Sequence, residues 1–200
     1  MELAVAGDRD AAGAFIAAHQ HSLYAYLLRM SGRPDVAEDV AQEAFVRVLT
    51  NLDRFDPRFR FSTWLFTIAR RLYINASQKL RPTYDTDGLN FWHGTTDQPE
   101  APALEREAGQ TQRTSLQSAL MALSTEQREV LILFHQLDWP IAIIAQHMDM
   151  PEGTVKSHLH RGRRRLRDLL SSDARFCASE GLTPSHLAND AAGTDMEVEP

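Results

Sequence analysis

Apolar residues recur three and four positions apart along most of this chain, and the alternating runs of strands are scarce. Phe15, Ile16, Leu23, Tyr26, Leu27 and Met30 form one helical stripe, which Gly32 and Pro34 end. Pro34 suits the first turn of a second helix running to about Leu49, with Val36, Ala37, Val40, Ala41, Ala44, Phe45 and Val48 on its apolar side. Its other side carries Asp35, Glu38, Asp39, Gln42 and Glu43. An aromatic and basic turn from Arg54 to Phe61 follows, and Ser62 is placed to cap a third helix through Trp64, Leu65, Ile68, Ala69 and Leu72. These elements predict a first helical unit over residues 8–80.

Residues 81–103 show no periodic apolar face and hold Pro82, Pro99, Pro102 and four acids, the composition of a flexible linker. Periodicity resumes at Leu104, and Ala108, Leu116, Leu120 and Leu123 share one face. Ser124 and Gln127 have the spacing of a capping box, opening a helix with Val130, Leu131, Leu133 and Phe134 inward. A short helix over Ile141–His147, a turn at Met148-Asp149-Met150 and a last helix from Pro151 to about Leu170 complete a second unit over residues 104–170. The expected fold is all-α: two small helical domains joined by an acidic linker, the second ending in a helix-turn-helix, with a loose acidic tail over residues 171–200.

The net charge of −6 over 200 residues argues at first against a nucleic-acid partner, but the charge is segregated. Pro82–Gln112 and Ser171–Pro200 each carry −5, which leaves +4 on the rest. Within that rest, Arg54–Arg81 carries +6 and Pro151–Leu170 carries +4. The single cysteine, Cys177, cannot form an internal disulfide. With no signal-peptide pattern at the start and no apolar run near the roughly 20 residues that span a bilayer, a cytoplasmic protein is expected.

In the last helix, Val155, Leu159, Gly162, Leu166 and Leu169 lie on one face, which turns Lys156, Ser157, His160, Arg161 and Arg164 outward together. A helix fits the major groove of B-DNA, where such donors reach base edges, and Arg163, Arg165 and Arg167 are placed to take phosphates. His158 and His160 are two apart on a helix and diverge, so they make a poor metal pair. No phosphate loop, nucleophile elbow or metalloprotease signature is present, so neither a catalytic site nor a cofactor is expected. Around the first basic segment, Phe55, Phe59 and Phe61 interleave with Arg54, Arg58 and Arg60, a pattern suited to stacking on unpaired bases while holding phosphates. Arg70, Arg71, Lys79 and Arg81 extend this patch, whereas Phe61 and Trp64 fit the apolar stripe and are expected in the core.

The order of these parts resembles the bacterial extracytoplasmic-function (ECF, group 4) sigma factors, the two-domain minimal form of the family. The likeness covers about residues 10–170 and rests on Ala37-Glu38-Asp39-Val40-Ala41-Gln42-Glu43-Ala44-Phe45, on Phe61-Ser62-Thr63-Trp64-Leu65-Phe66-Thr67-Ile68-Ala69-Arg70, and on Gly153-Thr154-Val155-Lys156-Ser157. The resemblance implies that Asp35, Glu38, Asp39, Gln42 and Glu43 meet the beta-prime coiled coil of core RNA polymerase, and that the second domain meets the beta flap. It implies that Arg58, Phe59, Arg60, Arg70, Arg71 and Asn75 capture the melted −10 promoter strand. It further implies that Thr154, Lys156, Ser157, His160, Arg161, Arg163 and Arg164 read the −35 duplex, and that an anti-sigma factor is a partner. The sequence departs from the family's common residues at Arg71, Asn75, Ile143, His158 and Gly162, which bears on promoter choice. Two alternatives remain at this point: a sigma mimic that sequesters an anti-sigma factor, and a stand-alone helix-turn-helix regulator.

Overall fold

In the computed structural model, the described residues are 9–79 (without 57 and 59), 103–174 and 176. They form seven α-helices: α1 (Arg9–Ser31), α2 (Pro34–Thr50), α3 (Phe61–Lys79), α4 (Ala103–Met121), α5 (Thr125–His135), α6 (Ile141–Met148) and α7 (Glu152–Ser172), with a 3-10 turn at Leu52–Arg54. No strand occurs among the described residues.

The first three helices form around the predicted stripes. Leu23, Tyr26, Leu27 and Met30 of α1 are buried, with Phe15 and Ile16 partly so. Gly32 ends α1 in the left-handed region (φ 68°), where a side chain would be strained, and its amide donates to the Leu28 carbonyl at 2.8 Å. Pro34 then starts α2, whose buried residues are the seven expected from the sequence. The helix α3 begins at Phe61, one residue before the expected cap, so Ser62 lies in its first turn. Phe61 is drawn inward by an aromatic cluster: its ring lies 4.2 Å from that of Phe15, 5.1 Å from Phe55 and 5.5 Å from Trp64. Such pairs contribute about 0.5–1.5 kcal/mol each beyond their burial. Phe55, read from sequence as a base-stacking candidate, is thereby a packing residue.

In the second half, the Gln127 amide donates to Ser124 Oγ at 3.3 Å, the N-cap bond of the expected capping box. Asp149 takes a left-handed conformation (φ 53°) after α6, and the Met150 amide donates to the Ala145 carbonyl, which makes the tight turn. Pro151 is the N-cap of α7 rather than its first helical residue, because its carbonyl accepts the first helical bond, from Val155. Val155, Leu159 and Gly162 are buried against the rest of this half, with Leu166 and Leu169 partly buried. At Gly162 a Cβ atom would lie 3.1 Å from Leu131 Cδ1, so α7 crosses α5 at a distance only a very small residue permits. Gly162→Leu is therefore expected to cost about 1–3 kcal/mol by overpacking. A lowered thermal midpoint would show it, and an unchanged one would contradict the close crossing.

The sequence predicts two modules on a tether. The halves instead share one core, which runs from α1, α2 and α3 into α5, α6 and α7. The ring of Phe66 in α3 packs on Tyr26 (5.2 Å) and on Trp139 (5.6 Å), and Trp139 packs on His147 (5.2 Å), carrying aromatic contact from one half to the other. The expected linker over 81–103 lies outside the described residues but for its last position, as does most of the tail, including Cys177.

Candidate nucleic-acid interface

The geometry of α7 follows from its register. With Val155, Leu159 and Gly162 buried, Lys156, Ser157, His160, Arg161 and Arg164 are all exposed, and Thr154 is half-buried at the start of the helix. Ser157 Oγ donates to the Gly153 carbonyl, and Arg161 Nε to the Ser157 carbonyl, so both side chains lie along the helix, and the Arg161 guanidinium keeps donors to spare. Arg163 differs from its neighbours. Its guanidinium sits over the Phe134 ring (5.1 Å) and its Nε donates to His135 Nε2 at 3.0 Å, which turns it toward α5. Burial and the charge of Arg163 push the His135 imidazole below its usual pKa, which keeps it neutral and able to accept that bond.

On α2, Asp35, Glu38, Asp39, Gln42 and Glu43 are all exposed and form a polar face opposite the buried one. Short bonds organise it: Gln42 to Glu38 (3.3 Å), Arg47 to Glu43 (2.7 Å) and Arg33 to Asp35. Exposed pairs of this kind contribute little stability; Asp35, in the first turn of α2, favours the helix N-terminus, and the acidity beyond it has no evident structural use.

The segment before α3 places Arg58 and Arg60 in solvent, with Arg58 forked onto Asp56, and Phe59 lies outside the described residues. Arg71 and Asn75 of α3 are exposed as well. Arg70 is not presented with them: its Nε donates to Glu129 Oε1 of α5 at 2.8 Å, with its side chain only 23% exposed. The same oxygen accepts from Tyr26 Oη of α1 at 2.8 Å, and His147 Nε2 of α6 stands 3.4 Å away. Thr67 of α3 reaches His147 Nδ1 at 3.1 Å.

This network was not foreseen from sequence. Glu129 has a side chain only 2% exposed, and Arg128 beside it is also buried. A usable signal was the unbroken apolar run Val130-Leu131-Ile132-Leu133-Phe134, too wide for one helical face, which implies that α5 is covered from more than one side. Burial pushes the Glu129 carboxyl up, but His147, Arg70 and Tyr26 together outweigh that and hold it below its usual value. A carboxylate with a depressed folded value stabilises the packed state above its unfolded value, about 4.3, and loses that contribution as pH falls through the folded value. Thermal midpoints of the wild type and of Glu129→Gln are therefore expected to differ at neutral pH and to converge in acid; a gap independent of pH would contradict the ionised network.

Comparison with known proteins agrees with this architecture. Residues 15–83 match Sigma-70 region 2, and residues 113–166 match Sigma-70, region 4. The ECF RNA polymerase sigma factor SigW of Bacillus subtilis is 33% identical over 174 residues, spanning 82% of this chain and 91% of the relative. The ECF RNA polymerase sigma factor EcfG of Rhodopseudomonas palustris is 34% identical over 156 residues, spanning 76% and 81%. Among solved structures, the sigma factor RpoE in complex with the anti-sigma factor NepR from Bartonella quintana aligns with a TM-score of 0.62 at 27% identity, covering 80% of this chain and 97% of that one. CnrH, in complex with the cytosolic domain of CnrY, shares the fold at a TM-score of 0.64 and 24% identity, covering 86% and 96%. This chain belongs to the extracytoplasmic-function sigma factors, which are transcription initiation factors. Among the described residues, no helix is long and apolar enough to cross a membrane.

Proposed function

We propose that this sigma factor binds core RNA polymerase through the acidic face of α2, reads −35 duplex DNA with α7 and captures the melted −10 strand with the segment before α3 and α3 itself. The observation that carries the reading is the register of α7. Burial of Val155, Leu159 and Gly162 leaves Lys156, Ser157, His160, Arg161 and Arg164 as one exposed row, of the width a major groove accepts. Thr154 begins that row, and Arg163 acts by bracing α7 on α5 more than by contacting bases. On α3, Arg71 and Asn75 face solvent together, and Arg58, Phe59 and Arg60 lead into the helix, a basic and aromatic approach suited to an unpaired strand. Glu38, Asp39, Gln42 and Glu43, with Asp35 at the helix start, supply an exposed acidic surface that adds little to the fold, as suits a docking face.

An anti-sigma factor is a further proposed partner, supported by the likeness to a sigma factor solved with NepR. The test is reconstitution: the chain with core polymerase yields a discrete set of transcripts from a genomic promoter library, and the chain alone yields none. Equal transcription without the chain would overturn the reading.

A further inference from the structure

We propose that Glu129 is an intramolecular stand-in for a promoter phosphate at Arg70, so that packing of the two halves and capture of the −10 strand exclude each other. This rests on the proposed strand-capturing role of α3, with Arg70 included in that surface as the family resemblance implies. A guanidinium binds carboxylate and phosphate oxygens with the same donors and at similar distances. In the packed chain the Arg70 Nε donor is committed to Glu129 at 2.8 Å, while Arg60, Arg71 and Asn75 stay exposed. The carboxylate comes from α5 in the second half, and the other groups facing it come from three elements: Tyr26 of α1, Arg70 of α3 and His147 of α6, the last held by Thr67. A strand that takes Arg70 therefore leaves a buried carboxylate without its cationic partner, and hydrating it requires the halves to part.

The packed state masks selectively. The acidic face of α2 and the outward row of α7 remain exposed in it. Core polymerase and duplex DNA thus have surfaces to engage before opening, and single-strand capture comes after. A charged latch suits this order better than an apolar one. A buried ion pair adds little net stability over apolar packing, yet it is specific, and an incoming anion competes for it directly.

The experiment uses the full-length chain with Cys177→Ser and donor and acceptor dyes on cysteines at Thr50 and Asp168, both exposed, to follow the separation of the halves. Binding of short single-stranded oligodeoxynucleotides of mixed sequence is measured on the same samples at fixed salt. Glu129→Gln keeps the side-chain shape and is expected to lower energy transfer and to tighten oligonucleotide binding about tenfold. Tyr26→Phe, which removes only one hydroxyl, shifts both readouts in the same direction by less, and circular dichroism confirms that each variant is folded. Arg70→Ala in the Glu129→Gln background cancels the gain in affinity. If Arg70→Ala weakens binding but Glu129→Gln leaves it unchanged, the latch is overturned and the strand-capture assignment stands. If Arg70→Ala leaves binding unchanged in the Glu129→Gln background, where Arg70 is released from its carboxylate, the assignment fails and the latch with it.

Discussion

Arg128→Met is expected to lower stability by about 3 kcal/mol or more, the range for stripping the partner from buried polar groups. Arg128 is buried with no carboxylate partner among the described residues, and its guanidinium donates to four backbone carbonyls: Leu120 (2.9 Å), Met121 (3.1 Å), Leu123 (3.3 Å) and Met30 (2.5 Å). Leu120 and Met121 end α4, Leu123 follows in the turn, and Met30 lies in the last turn of α1. One cation thus satisfies the orphan acceptors and the negative dipole ends of two helices, one from each half of the chain. Met30 also accepts from Tyr73 Oη at 2.9 Å, so the end of α1 is bound from both sides. Methionine fills similar volume but supplies no donors. For a chain of this size the loss amounts to a fall of about 6–12 °C in the thermal midpoint. Arg128→Lys should recover only part of it, since an ammonium cannot reach four acceptors in a plane. Arg164→Met, on the exposed side of α7, should change stability by no more than about 0.5 kcal/mol. Equal effects of Arg128→Met and Arg164→Met would refute the bridging role.

The second large effect is on function with stability held constant. The double change Lys156→Glu and Arg161→Glu places two negative charges on the outward row of α7. Removing a side chain that holds a base or phosphate there costs about 1–3 kcal/mol, and repulsion adds to it. Promoter-specific transcription by the reconstituted holoenzyme is expected to fall by about two orders of magnitude, since about 1.4 kcal/mol corresponds to a factor of ten. Both residues are exposed, so the thermal midpoint should barely move, and core polymerase should still be bound through α2. A sigma mimic that only sequesters an anti-sigma factor would be indifferent to the change. Undiminished promoter-specific transcription would therefore favour a role for α7 other than DNA reading.

Period and end signals carried most of the fold. The seven inward residues of α2, the Ser124 cap and the turn at Asp149 were all legible, because each is a local preference that packing did not override. The start of α3 moved because burial of Phe61 outweighed the capping preference of Ser62. Docking of the halves was not legible: it depends on Tyr26, Arg70, Glu129 and His147, which meet across as many as 121 positions of sequence and carry no shared local pattern. For the same reason the basic surfaces could be read as groups but not sorted. Sequence placed Arg163 with its neighbours on α7, and Arg70 with Arg71; only the packing of Phe134, His135 and Glu129 separates them. The charge of −6, which first argued against nucleic acid, gave no guidance until its segregation was seen.

On the proposed function, this chain gives core polymerase both duplex recognition and strand capture at one promoter. Footprinting of the reconstituted holoenzyme on its strongest promoter, combined with permanganate probing of unpaired thymines, tests both at once. Protection of upstream duplex that Lys156→Glu with Arg161→Glu abolishes is expected, together with reactive thymines in the −10 region. Duplex protection by the chain alone, with no melting when core polymerase is added, would contradict it.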